Sequence, residues 1–380
     1  MSDRLKSNGR YTLPTPLRML EAAVDHVRAL PDIVFFCNPL VPELELKRNI
    51  PNYEPMLVLV TGAFGNIGES TLLALFEHKH QIRCFDLHTK QNEKTAKRLQ
   101  KHGEFETVWG DVRDVDTTKN IVEDIECIIH LAAIIPPQSE TNNEFTTAVN
   151  VGGTLRLIEV AEALPVKPKF ILASSISVFG PTMHLPPPRT ADDPLHPTDT
   201  YTTTKVKCET ALRASALPWT ILRLVAVPPL RISGEMDPIL FEMPLDQRIE
   251  FIHTRDVGTA FANAVTAKTT NKVLLIGGGK PNQMYQREFV AKILTAMGLG
   301  MLPESAFRVA TKPDEWFYTD WVDTTESQQL LEYQHHTYDQ YLDDLKRAIG
   351  FKRHLARLFR GLAKKRLLAQ SPYYQKPRNS

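Results

Sequence analysis

Cysteine is scarce in this chain of 380 residues: there are four, Cys37, Cys84, Cys127 and Cys208, with no CxxC pair. No histidine stands at zinc-ligand spacing beside them. A disulfide-stapled scaffold and a sequence-encoded zinc site are thereby excluded, and the thiols read as reduced, small buried hydrophobes. Long apolar runs are missing too. No stretch of about 18 apolar residues reads as a transmembrane helix, and the N-terminus lacks the charged, apolar and small-residue blocks of a secretory signal. These absences set the expectation of a cytoplasmic protein. Net charge is small, at +1, but unevenly placed. From Phe351 onward there are nine Lys or Arg and no Asp or Glu, which leaves 36 basic against 44 acidic residues, a net of −8, in the first 350. What is present, 42% hydrophobic and 23% charged residues, is the composition of a soluble, core-forming chain.

Residues 1–55 are proline-rich around one expected helix, "PLRMLEAAVDHVRAL", with Thr15 as N-cap and Pro16 at its first position. They read as an N-terminal extension. From residue 56 the pattern becomes regular: "MLVLVT", "QIRCFD", "ETVWGD", "ECIIHLAA", "KFILASS" and "WTILRL" read as strands, each followed by a longer helical or polar segment. Continuous apolar strands alternating with helices predict an α/β fold, a Rossmann-type doubly wound parallel sheet covered on both faces. The expected domains are a dinucleotide-binding Rossmann domain over 56–225 and a smaller C-terminal substrate lobe over 226–335, interleaved with it. A basic amphipathic tail occupies 336–380.

"TGAFGNIG" places Gly62, Gly65 and Gly68 between the first strand and a helix starting near Asn66. Glycines there allow a positive φ and a close backbone approach to a pyrophosphate, while the helix N-terminus supplies free N–H groups. Phe64, Asn66 and Ile67 share that turn. Asp86 closes the second strand, placed to accept hydrogen bonds from ribose hydroxyls, which favours NAD over NADP. Arg83 and Lys90, close by, soften that preference.

Tyr201 and Lys205 in "YTTTK" share a helix face, and a cation beside a phenol favours the phenolate, the state a proton-transfer catalyst uses. "ILASSISVFG" supplies a nearby hydroxyl. With these motifs in order, the sequence resembles the extended short-chain dehydrogenase/reductase family, of the NAD-dependent epimerase/dehydratase type, over roughly residues 56–300. Further matches are "GDVRD", "HLAA", "NVGGT" and "FIHTRDVGTAF". The resemblance implies Tyr201 as general acid/base, Lys205 as the residue that binds the nicotinamide ribose and lowers the Tyr201 pKa, and Ser175 as the hydroxyl on the reacting oxygen. Ser174 is its possible substitute. Asn150 matches a position tied to a structural water or proton relay. Asp111 and Val112 would meet adenine, and Leu131, Ala132 and Ala133 would run along the dinucleotide.

Two departures bear on chemistry. Dehydratases of the family carry an Asp-Glu pair after the hydroxyl, where this chain has Ile176 and Ser177, so dehydration is not expected. Nucleotide-sugar members carry an Asn where Ala226 stands in "RLVAVPPL", which brings apolar alcohols or ketones, hydroxysteroid-like, into contention as substrates. Arg255 and Asp256 offer either a substrate contact or a helix-capping ion pair. The expected activity is an NAD-dependent oxidoreductase or epimerase acting on a small molecule. The alternative is a non-catalytic dinucleotide sensor or membrane-associated assembly factor. The segment 351–369 reads as a basic amphipathic helix for docking on the body, for a homodimer contact, or for peripheral contact with an anionic membrane. No module for specific nucleic-acid binding accompanies it.

Overall fold

Among the described residues, apolar runs bounded by turn residues become nine strands: β1 Leu57–Thr61, β2 Gln81–Asp86, β3 Glu106–Trp109, β4 Cys127–His130, β5 Lys169–Ser175, β6 Trp219–Leu224, β7 Arg248–Glu250, β8 Lys272–Ile276 and β9 Gln283–Tyr285. This is a computed structural model, and it describes residues 54–230 and 239–375. The expected N-terminal helix, Cys37 and positions 231–238 of the Pro-rich connection lie outside the described residues.

Helices α1 Asn66–Glu77, α2 Lys90–Leu99, α3 Val115–Ile121, α4 Asn143–Thr147, α5 Gly153–Glu162 and α6 Thr200–Ala214 alternate with the first six strands. Then come α7 Ile239–Glu242, α8 Thr254–Thr266, α9 Gln286–Ala296, α10 Thr325–Leu331, α11 Tyr338–Ile349, α12 Lys352–Leu358 and α13 Arg360–Leu368. Seven strands form a parallel sheet in the order β3-β2-β1-β4-β5-β6-β8. The order reverses at β1, between β2 and β4, which opens a crevice at the strands' C-terminal ends.

The strands are apolar throughout because both faces are covered. Val58, Val60, Ile171 and Ala173 join one core with Leu72 and Leu75 of α1 and Val257 and Phe261 of α8. Leu59, Phe170 and Leu172, one residue out of phase, join the opposite core with Leu157 of α5 and Leu212 of α6. Each such Val, Leu, Ile or Phe side chain stabilises the fold by about 1.5–3 kcal/mol.

β8, "KVLLI", falls by sequence within the substrate lobe, yet it pairs with β6 from Thr220↔Lys272 to Leu224↔Ile276 and completes the main sheet. Periodicity marks it as a strand but says nothing about its neighbour. The lobe proper is the antiparallel pair β7-β9 with α9 and α11, whose core gathers Ile249, Phe251, Met284, Tyr338 and Tyr341. The residues of α11, assigned by sequence to the tail, are thus part of a packed core.

Candidate active site

The turn after β1 is built for close approach. Gly62 has φ +67°, and a Cβ there would lie 2.8 Å from the Ala132 backbone nitrogen, so a side chain would displace the 131–133 segment. Gly65 and Asn66 are exposed at the start of α1, whose first N–H groups have no partners within the helix. Phe64 turns its ring inward against Phe105 and Trp109, so its contribution to the turn is its backbone. That N–H donates to Asp86 Oδ2 at 2.9 Å, tying the end of β2 to the glycine turn. The other carboxylate oxygen accepts from Leu87 N and Asn92 Nδ2. Burial pushes the Asp86 carboxyl up from its ordinary range, and the Phe64 and Leu87 N–H groups oppose that shift. The bare turn, the open helix start and the carboxylate at the β2 tip fit a dinucleotide's pyrophosphate and ribose. Arg83 is spent elsewhere, on Glu106 at 2.6 Å and on the carbonyls of Ile121 and Glu123.

Asp111 and Val112 serve their own loop. Asp111 binds the Arg113 guanidinium through both oxygens, and Val112 packs into the core beneath Gly153. Leu131, Ala132 and Ala133 are half-exposed beside the glycine turn, with Leu131 N and Ala132 N both bonded to Thr61.

On the other side of the crevice, β5 ends at Ser175 and α6 presents Tyr201 and Lys205. Strand alternation separates the two serines. Ser174 shares the face of Phe170 and Leu172, and its hydroxyl donates to Glu209 Oε1 at 2.5 Å. Ser175 lies close enough to the Tyr201 phenol to draw its pKa down. Ser177, absent from the residues expected at the site, donates its hydroxyl to Ser175 Oγ at 2.7 Å and so orients it. Lys205 is buried, donates to the Ala173 carbonyl at 2.8 Å, and lies 5.7 Å from the Tyr201 ring centroid. Burial lowers its pKa, offset by Cys208 and Glu209.

The Tyr201 phenol departs from the expected direction. Burial, and then the Asp199 carboxylate, raise its pKa, and Ser175 only partly offsets them. Lys205, committed to a carbonyl, does not reverse the shift.

Two further carboxylates shape this helix start. Asp199 caps it by accepting from Thr202 N at 2.7 Å, and Glu140 accepts from Thr200 N and Tyr201 N at 3.1 Å. Tyr318, from the lobe, lies close enough to Asp199 and Glu140 that they, after burial, raise its pKa. Glu140 and Tyr318 carry no sequence signal, because only tertiary packing brings them here.

Asn150 sits in a π-turn, Ala148–Gly152, between α4 and α5. Its oxygen accepts from Ile134 N at 2.8 Å, and its amide donates to Ile134 O and Thr204 Oγ1. Both donors are spent, and they lock the 131–134 segment to α6. Arg223 and Asp256 are likewise occupied, Arg223 with Glu209, Asp256 with His336 and the backbone of 335–336. Arg255 pairs with Asp344 at 3.1 Å.

His130 ends β4 between Thr61 Oγ1 at 2.7 Å and Thr154 Oγ1 at 2.9 Å. Burial, then the nearby Lys205, lower its pKa to about 3. The unfolded chain therefore takes up a proton first as pH falls. His130 supports the fold fully above about 6.5, and that support is lost progressively toward the folded value. Between pH 7 and 5 the loss is about 2 kcal/mol. Urea midpoints at the two pH values, compared between the parent chain and His130→Gln, measure it. His80, His253 and Glu250 titrate equally in both proteins and cancel. Equal pH slopes would refute the assignment.

Comparison with known proteins joins these observations. Residues 58–238 match the model of the NAD dependent epimerase/dehydratase family. A 3 beta-hydroxysteroid dehydrogenase/Delta 5-->4-isomerase of Mycobacterium tuberculosis is 33% identical over 126 residues, 32% of this chain and 32% of that protein's length. A UDP-glucose 4-epimerase of Klebsiella pneumoniae is 30% identical over 142 residues, 34% of this chain and 97% of that sequence. Among solved structures, UDP-glucuronic acid 4-epimerase from Bacillus cereus, in complex with UDP-glucuronic acid and NAD, superposes with a TM-score of 0.65 at 20% identity, covering 79% of this chain and 100% of that one. The dTDP-glucose 4,6-dehydratase DesIV of Streptomyces venezuelae does so with 0.66 at 22%, covering 79% and 98%. At such identities the structural likeness concerns the fold. With the family match and the epimerase covered almost end to end, the chain belongs to the NAD dependent epimerase/dehydratase family.

Proposed function

We propose that this protein is an NAD-dependent oxidoreductase or epimerase that exchanges hydride at a carbinol or carbonyl carbon, with no net loss of water. The observation that carries the reading is the Ser175 hydroxyl at the end of β5, held by Ser177 and placed beside Tyr201, with Lys205 next to the phenol ring. A nicotinamide dinucleotide, when bound, supplies the hydride exchange. Gly62, Gly65 and the start of α1 hold the pyrophosphate, and Asp86 holds the adenosine ribose. Tyr201 moves the proton at the substrate oxygen, Ser175 orients that oxygen, and Lys205 binds the nicotinamide ribose. Asn150 acts by positioning the 131–134 segment.

The position after Ser175 is a buried Ile176, and Ser177 is occupied by Ser175. Neither supplies the extra acid and base that elimination requires. Epimerases, a dehydratase and a hydroxysteroid dehydrogenase all stand among the similar proteins, so the substrate class rests on the residues of this site. The stacked Phe317–Tyr318 pair, with Tyr318 beside the start of α6, favours a ring-bearing alcohol or ketone with an apolar face. Retention of Ser175, Tyr201 and Lys205 together weighs against a non-catalytic sensor. The exposed basic helices at the C-terminal end we assign to peripheral contact with a membrane.

The test is to denature the purified protein, identify any released dinucleotide by mass spectrometry, and titrate NAD and NADP into the emptied protein. Asp86→Ala is expected to weaken NAD by about ten- to hundredfold while leaving NADP less affected. Equal losses for both would reduce Asp86 to a support of the Phe64 turn. No binding of either dinucleotide by the parent chain would sink the reading.

A further inference from the structure

We infer that α12 and α13 form a docking surface for an anionic lipid bilayer, lying flat on it with one apolar edge in the acyl boundary and a cationic groove for lipid phosphates. The sequence places Leu355, Leu358, Phe359 and Leu362 at i, i+3, i+4 and i+7, with Phe351 one turn earlier. Such a stripe ordinarily packs inward. Here it does not. Leu355 is 42% exposed, Leu358 75%, Phe359 55%, Leu362 65% and Phe351 69%. The helices hold the body through a different face, on which Ala356, Ala363, Leu367 and Leu368 pack against the core around Phe241, Leu294 and Phe307. Lys364 adds a bond to the Met301 carbonyl, and Gly298 admits the Arg353 carbonyl where a Cβ would lie 2.4 Å from it. The pair is thus already docked, and its large apolar side chains are left over. Scattered exposed leucines need no explanation, but five large exposed apolar side chains between Phe351 and Leu362 do.

Charge identifies the partner. No Asp or Glu occurs from Phe351 to Ser380, against nine Lys and Arg. Among the described residues, no carboxylate pairs with Arg353, Arg357, Arg360, Lys365 or Arg366. Arg353, His354 and Arg357 also line a cleft of about 500 Å³ against α9 and α11, whose Lys292 and Lys346 are paired with Glu288, Asp339 and Asp343. A second copy meeting this face through the same stripe would set like charges together. An anionic bilayer satisfies both components at once, since acyl chains take the stripe and phosphates take the cations. Among the described residues no helix is long and apolar enough to cross a membrane, so the contact is one of lying on the surface.

The full chain is tested by flotation with phosphatidylcholine vesicles, with and without phosphatidylserine, at low and high salt. Binding is expected only to the anionic vesicles and is weakened by salt. Leu358→Ser with Phe359→Ser and Leu362→Ser should lower partitioning at least about tenfold, because the three side chains contact no core. Arg353→Gln with Arg357→Gln should lower it by about fivefold per cation. Dinucleotide titration of each variant, unchanged from the parent chain, separates this surface from the active site and shows that the variants fold. No flotation with anionic vesicles would overturn the proposal. So would binding indifferent to the three serines, or a dimer in sedimentation that those serines dissolve, which would make a second copy the occupant.

Discussion

Tyr201→Phe is expected to lower turnover by about two to four orders of magnitude while dinucleotide affinity stays within a factor of about two. In the proposed mechanism the phenol is the group that exchanges a proton with the substrate oxygen. Its ring, which Phe keeps, fills the space beside Lys205. The pH profile sharpens the test. Burial and Asp199 raise the phenol's pKa in this state, so the parent chain should hold Tyr201 protonated through neutral pH. In the reducing direction, where the phenol donates, activity is then flat through neutrality. In the oxidising direction, where it must accept, activity climbs with pH. A Tyr201→Phe protein with undiminished turnover would show that the fold serves binding without chemistry at this residue.

Arg223→Met is expected to destabilise the protein by about 3–5 kcal/mol, measured by urea unfolding. Arg223 and Glu209 are each 1% exposed, and two bonds of 3.0 and 2.7 Å join them. Arg223 also donates to the Ala191 carbonyl and lies over the Phe179 ring. Removing the guanidinium strands a buried carboxylate with Ser174 as its remaining partner. The paired change Arg223→Met with Glu209→Leu should recover most of the loss, since the cost lies in the unpaired charge and not in the absence of an ion pair. Equal losses in the single and paired variants would mean that Ala191 and Phe179, and not the pair, carry the effect.

These two residues also mark how far sequence reaches. Tyr201 was legible because its spacing to Lys205 and the order of motifs around it are written in the chain. Six strands were legible because a strand buried on both faces is apolar along its length. Arg223 was not, because an arginine within "WTILRL" looks like a strand-end charge until α6 brings Glu209 against it. The same holds for Asn150, whose amide is consumed by partners 16 and 54 residues away. Lys205 illustrates a subtler gap. Spacing brings it near the phenol, but the carbonyl of Ala173 and the cost of burial decide what it does to the proton.

The family match ends at residue 238, before the chain returns from the lobe to lay β8 against β6. A gene fragment cut at that boundary would encode six strands and leave β6 at the rim. All six residues of β6 are buried in the intact sheet. Its freed backbone donors and acceptors would offer a sticky template to any neighbouring chain. The return strand ties the sheet and the segment that precedes it into one folding unit.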